Sequence, residues 1–97
     1  MPQNLKRYIV DIDETICESL GDYPNARPLY DRIQKINDLY DAGNTIIYWT
    51  ARGANSGKDW GDLTKSQLDE WGCKRHALWM NKPAYDIWVD DKAQWLF

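Results

Sequence analysis

The sequence is short of cysteine, of histidine and of basic charge, and it has no long apolar run. Two cysteines in 97 residues, Cys17 and Cys73, form no metal-binding spacing and no disulfide scaffold; they read as reduced thiols of a reducing compartment, with a bridge between them left open. No apolar run approaches the ~20 residues that cross a bilayer, and the opening stretch Met1 to Arg7 lacks the apolar region of a secretory leader. The expectation is a soluble, cytoplasmic chain with no membrane partner. Twelve basic against 15 acidic residues leave a net charge of −3, which gives no electrostatic footprint for nucleic acid. The 97 residues leave no room for a second core, so 1–97 reads as one domain.

Aromatic residues are plentiful, with 6 Trp and 6 Tyr. Core and rim packing accounts for most of them, and a homo-oligomer through those that stay exposed, Trp88, Trp95 and Phe97 among the candidates, is left open. The most informative stretch is Tyr8-Ile9-Val10-Asp11-Ile12-Asp13-Glu14-Thr15. Its β-branched and aromatic start is a strand entering a core, and its end is a cluster of carboxylates. Side chains alternate along an extended chain, so Asp11 and Asp13 share a face and repel one another. One reading is a polar turn that caps the next segment; the other is a divalent cation held by oxygen ligands beside a bound substrate.

Residues 16–27 carry turn chemistry without periodicity and read as a loop. Arg27-Pro28 opens a helix, because Pro28 suits a first helical position and Leu29, Ile33, Ile36 and Leu39 recur at helical spacing up to Gly43. Asn44 to Thr50 is a strand buried on both faces, residues 51–59 a polar loop, and Trp60, Leu63, Leu68 and Trp71 one face of a second helix that Gly72 stops. His76 to Met80 reads as a third strand, Asn81-Lys82-Pro83 as a loop, and Asp86 to Val89 as a fourth strand ending in Asp90-Asp91. This alternation defines an α/β chain: a Rossmann-like three-layer sandwich with a parallel sheet of about four strands. Ligands of such sheets bind beyond the carboxyl ends of the strands, where the strand order reverses. Asp11, Asp13, Thr50, Arg52, Lys82, Asp90 and Asp91 all fall at or near those ends, although they are scattered along the chain.

The acidic run Asp11 to Thr15, a Thr closing the second strand, a later Lys and a strand closed by Asp-Asp resemble, in that order, the four motifs of the haloacid dehalogenase superfamily. The match runs from Tyr8 to Lys92. Thr50-Ala51-Arg52-Gly53, Gly57 to Trp60, Glu70-Trp71-Gly72 and the stretch from Lys82-Pro83 to Ala93 are similar to small phosphatases of capsule and lipopolysaccharide sugar synthesis. The phosphatase domain of bacteriophage polynucleotide kinase is a second likeness. The resemblance implies a phosphomonoesterase with Asp11 as the nucleophile that becomes an aspartyl-phosphate and Asp13 as general acid and base. It further implies Thr50 and Lys82 on the phosphoryl oxygens, and Mg²⁺ held by the Asp11 side chain, the Asp13 carbonyl and Asp90, with Asp91 acting at one remove. Arg52 is either a ligand of substrate phosphate or a stabiliser of its loop. Arg27 and Lys58 read as surface charges, His76 as structural and Cys17 as incidental.

Two departures stand out. Glu14 occupies a position where many relatives carry Gly, and no segment is long enough for the cap domain of larger members, so the site should be open. The expected substrate is a small sugar phosphate. A polynucleotide 3′-phosphatase is the alternative, disfavoured by the scarcity of clustered basic residues, and a non-catalytic phosphate- or metal-binding module is a third reading. A receiver-type phosphoacceptor is set aside, since no isolated Asp closes strand two or three.

Overall fold

Tyr8, Ile9 and Val10 belong to residue types that favour a pleated, half-buried surface, and in the computed structural model, which describes residues 4–97, they lie in strand β1 (Arg7–Val10). Residues 1–3, the start of the stretch read for leader character, lie outside the described residues. β1 runs parallel to β4 (Thr45–Trp49), with Ile9 opposite Ile47 and Val10 opposite Tyr48. β4 runs parallel in turn to β5 (Ala77–Trp79), with Tyr48 opposite Leu78. The order β1-β4-β5 puts β4 in the centre. Its Ile46, Ile47 and Tyr48 are all buried, as an apolar run covered on both faces requires.

Two helices supply the crossovers that parallel neighbours need. In α1 (Tyr30–Asp41) the helical spacing turns Ile33 and Ile36 into the core, each burial contributing about 1.5–3 kcal/mol. The helix gives way at Gly43, whose φ of +101° is a left-handed conformation that glycine adopts without a Cβ penalty. α2 (Gly61–Glu70) buries Leu68 together with two polar residues, Thr64 and Gln67. The core joins Val10, Ile12, Ile16, Ile33, Ile36, Ile46, Tyr48, Leu68 and Trp71.

Three expectations need correction. Arg27-Pro28 does not open the helix but forms a short strand, β3, antiparallel to β2 (Cys17–Glu18). Leu29 N–H then donates to the Ile16 carbonyl at 2.8 Å, so the chain stays extended there and the helix starts at Tyr30. Residues 16–27 are accordingly a small hairpin with a 3₁₀ turn at Tyr23–Asn25, not a bare loop.

The third correction concerns the sheet, which holds three parallel strands instead of about four, because Asp86 to Val89 pairs with no strand among the described residues. That segment has only three apolar residues between acids. It is held by side chains, with Trp88 set edge-on against Trp49 at 5.9 Å and tilted against Tyr85 at 5.1 Å. The three strands follow one another in chain order, so the described sheet contains no reversal.

Candidate active site at the carboxyl edge of the sheet

Parallel strands end on one edge, and each of these strands delivers a chemical group there. Asp11, Ile12 and Asp13 follow β1, Thr50 follows β4, and Asn81-Lys82 follow β5. Ile12 is fully buried in the core while Asp11 and Asp13 on either side of it are partly exposed, the alternation an extended chain imposes. The loops are tied together through the backbone. Thr50 N–H donates to the Trp79 carbonyl at 2.9 Å, and Lys82 N–H donates to the Thr50 carbonyl at 3.1 Å.

Asp11 faces Lys82, whose Nζ lies 3.6 Å from Oδ1. Burial raises the Asp11 pKa above the ordinary carboxylate value; Lys82 and the Ile12 N–H oppose the rise and the charge of Asp13 adds to it. The side chain of Lys82 is only 11% exposed. Three rings surround its ammonium, with centroids at 6.0 Å for Trp49, 5.0 Å for Tyr85 and 5.6 Å for Trp88, an arrangement in which ring quadrupoles favour the cation.

Asp13 is bound differently. The Arg52 side chain is wholly buried against it, with Nη2 2.8 Å from Oδ1 and Nε 2.9 Å from Oδ2. The remaining nitrogen, Nη1, donates to Gln67 Oε1 at 2.6 Å and to Thr64 Oγ1 at 3.1 Å. The guanidinium carbon stands 4.7 Å from the centroid of the Tyr23 ring. Thr50, also buried, accepts the Arg52 N–H on its hydroxyl oxygen at 3.2 Å, which leaves the hydroxyl proton free to be donated. An open cleft of about 370 Å³, bordered by Arg52, Lys58, Trp60, Asn81 and Lys82, adjoins the cations that hold the two carboxylates.

The other assigned residues lie elsewhere. Asp90 and Asp91 are exposed; Asp90 accepts the Lys92 N–H at 2.8 Å and the Trp88 indole N–H at 3.2 Å, which hold its pKa below the ordinary value. Asp91 pairs with Lys92 Nζ at 3.3 Å. Among the described residues no three His, Cys, Asp or Glu side chains gather into a set that could hold a metal ion. The Asp11 carboxylate, half-buried and loosely compensated, suits a hard cation; Asp90 and Asp91, as they lie here, do not join it. His76 is structural, as expected: its Nδ1 accepts the Ile46 N–H at 3.0 Å and its ring packs on Tyr40 at 4.8 Å. Arg27 pairs with Glu18 at the surface. Cys17 and Cys73 are free and buried, and burial pushes the Cys17 thiol up to about 12 and Cys73 to about 11, so neither is a ready nucleophile.

Sequence reasoning missed Tyr23, Thr64 and Gln67 around Arg52 and the aromatic ring set around Lys82. One signal was present. Thr64 and Gln67 fall four and seven residues after Trp60, in step with Leu68 and Trp71, and polar residues on a helix's core face call for a buried partner.

The fold and this edge define an α/β chain with two carboxylates, a threonine and a lysine converging at the carboxyl ends of a parallel sheet. No protein-family model and no curated protein matches the sequence. It is similar to the crystal structure of a target protein from Vibrio cholerae, 27% identical, with a TM-score of 0.80 over 93% of this chain and 83% of that one. Among the described residues no helix is long and apolar enough to cross a membrane.

Proposed function

We propose that the chain is a phosphomonoesterase of the haloacid dehalogenase type, with a capless core, acting on a small phosphorylated substrate such as a sugar phosphate. One observation carries this reading: a half-buried carboxylate, Asp11, faces a caged lysine 3.6 Å away on the edge where Thr50 and a second carboxylate also stand. An Asp11 oxygen attacks phosphorus, the bond to the leaving oxygen breaks, and Asp13 gives that oxygen its proton. Asp13 then takes a proton from the water that cleaves the aspartyl-phosphate and restores Asp11. Thr50 and Lys82 offset the charge that grows on the phosphoryl oxygens.

Mg²⁺ belongs to the same proposal, with the Asp11 side chain and the Asp13 carbonyl as ligands, Asp90 as the third and Asp91 behind it. When bound there, the ion would supply charge neutralisation for the approach of the anionic Asp11 to an anionic ester. For Asp90 to take part, the segment Asp86 to Val89 must leave its aromatic contacts and join the free edge of β1. Ile9 on that strand is 47% exposed, and Ile87 and Val89 are 81% and 93% exposed. Such an addition would also create the strand-order reversal beside Asp11 that marks ligand sites in open α/β sheets.

The test is a panel of sugar phosphates, nucleotide 3′-phosphates and generic aryl esters, assayed with and without Mg²⁺ on the natural chain and on Asp11→Asn. The expected result is Mg²⁺-dependent release of phosphate that Asp11→Asn lowers by at least roughly a thousandfold. Turnover that survives in Asp11→Asn rejects the mechanism, and saturable binding without turnover across the panel supports a binding module instead.

A further inference from the structure

We infer that Arg52 is a positioning residue that fixes the rotamer of Asp13, the group that transfers the proton. The inference rests on the reading of Asp13 as the proton-transfer group and goes further by naming what aims it. A carboxylate on a loop rotates freely unless its oxygens are held, and proton transfer needs one oxygen kept within hydrogen-bond reach of the leaving atom.

Both oxygens of Asp13 are held by the fork of Arg52. Oδ1 faces Arg52 Nη2 at 2.8 Å, Arg52 Nε at 3.3 Å and the Cys17 thiol at 3.7 Å. Oδ2 faces Arg52 Nε alone, at 2.9 Å. The single Nε hydrogen favours the nearer Oδ2, and the Cys17 thiol is shared with the Ile12 carbonyl at 3.6 Å, so each oxygen takes one firm N–H from the arginine and keeps a lone pair for a proton. Asp13 is 20% exposed along its side chain and Arg52 0%, so the arginine holds the carboxylate from the protein side while part of it remains open to solvent.

Arg52 is itself fixed on every side. Nη1 is taken by Gln67 and Thr64 from α2, the guanidinium carbon lies over the Tyr23 ring, and the backbone N–H is held by Thr50. Gln67 is anchored in turn, its Nε2 donating to the Tyr23 carbonyl at 2.6 Å. A group with all its nitrogens engaged and no exposed surface is not arranged to clamp substrate phosphate. It transmits the rigidity of helix α2 to Asp13, and a planar fork does this where a lysine point charge cannot.

Leaving-group chemistry separates positioning from simple support. An alkyl phosphate expels a basic alkoxide and depends on the proton from Asp13; p-nitrophenyl phosphate expels a stable phenolate and hardly does. Arg52→Lys and Gln67→Ala, each checked for cooperative unfolding, are to be compared with Asp13→Asn on both esters, with Gln67→Ala kept in case the arginine variant fails to fold. Both variants are expected to lose roughly a hundredfold in kcat on the alkyl ester and less than about tenfold on the aryl ester, the same asymmetry as Asp13→Asn. In Arg52→Lys/Asp13→Asn the losses should not add. Equal losses on the two esters, or full activity in both variants, would overturn the assignment. If the natural chain hydrolyses neither ester, the phosphatase reading itself fails; if it hydrolyses both and the variants show no asymmetry, only the role of Arg52 falls.

Discussion

Asp11 carries a conflict at the scale of a single residue. Burial raises its pKa above the ordinary value of 3.8, and Lys82 compensates only in part. A carboxylate with a raised folded-state pKa holds its proton more tightly when folded. Its contribution to stability is therefore most favourable at acid pH and is lost as pH rises through the raised value. Asp11→Asn removes the ionisation, so its Tm should exceed that of the natural chain near neutrality, and the difference should close on acidification below about pH 4 as the natural side chain protonates. Loss of turnover together with a gain in Tm marks a functional site whose chemistry costs stability. A lower Tm for Asp11→Asn at neutral pH would instead make the Lys82 contact the dominant interaction. Glu14 has the opposite sign: the N–H groups of Leu20 and Ser19 hold its pKa below 4.5, so its contribution is present above that value and lost as pH falls through the lowered one.

The backbone of Glu14 adds a second term. Its φ of +61° is a left-handed conformation that costs a residue with a Cβ about 1–2 kcal/mol, and glycine would not bear that cost. What the side chain provides in return is three hydrogen bonds to one oxygen, from Ser19 N–H at 3.0 Å, Ser19 Oγ at 3.2 Å and Leu20 N–H at 2.8 Å. Glu14→Ala loses the bonds and keeps the strain, and should unfold about 1–2 kcal/mol more easily. Glu14→Gly loses the same bonds but is relieved of the strain, so it should be the more stable of the two by roughly 1 kcal/mol. Denaturant titration of both variants checks the order, and Ala at or above Gly would show that the turn is not strained.

Elements were legible where the signal is local. The core strand at Thr45–Trp49, the bodies of both helices and their stops at Gly43 and Gly72 follow from runs, spacing and the placing of glycine within a few residues. Arg27-Pro28 was misread because Pro28 is equally at home at a helix start and on a short edge strand, and the pairing with Cys17 and Glu18 that decides between them lies some ten residues back. The loop after β4 shows the same contrast. Gly53 can be recognised as a turn residue, but not that the Lys58 carbonyl packs where its Cβ would be, at a φ of +86°. Gly53→Ala must therefore open the 51–60 loop and disturb the backbone beside Arg52. A loss of roughly 1–3 kcal/mol in stability is expected, together with reduced turnover.

At the scale of the whole molecule, convergence was readable and pairing was not. Parallel strands bring their carboxyl ends to one edge whatever the loops do, so Asp11, Asp13, Thr50 and Lys82 could be gathered from the chain alone. Which charge meets which could not: Arg52 finds Asp13 across 39 positions and Lys82 holds Asp11, facts of three-dimensional register. The segment 83–97 is where alternation along the chain and the fold part company. It leaves β5, rests Trp88 on Trp49, and ends with Trp95 and Phe97 flanking Arg32 on α1 at 5.2 and 5.4 Å. A cation between Asp11 and Asp90 would draw the middle of this segment back to the sheet. Mg²⁺ at about 100 times its Kd should then stabilise the natural chain by about 2.7 kcal/mol and slow hydrogen exchange at Ile87 to Val89. Asp90→Asn should lose most of that gain and Asp11→Asn all of it. An Asp90→Asn protein that responds to Mg²⁺ as the natural chain does, with exchange at Ile87 to Val89 unchanged by the ion, would exclude Asp90 from the site and leave any cation to Asp11 and the Asp13 carbonyl.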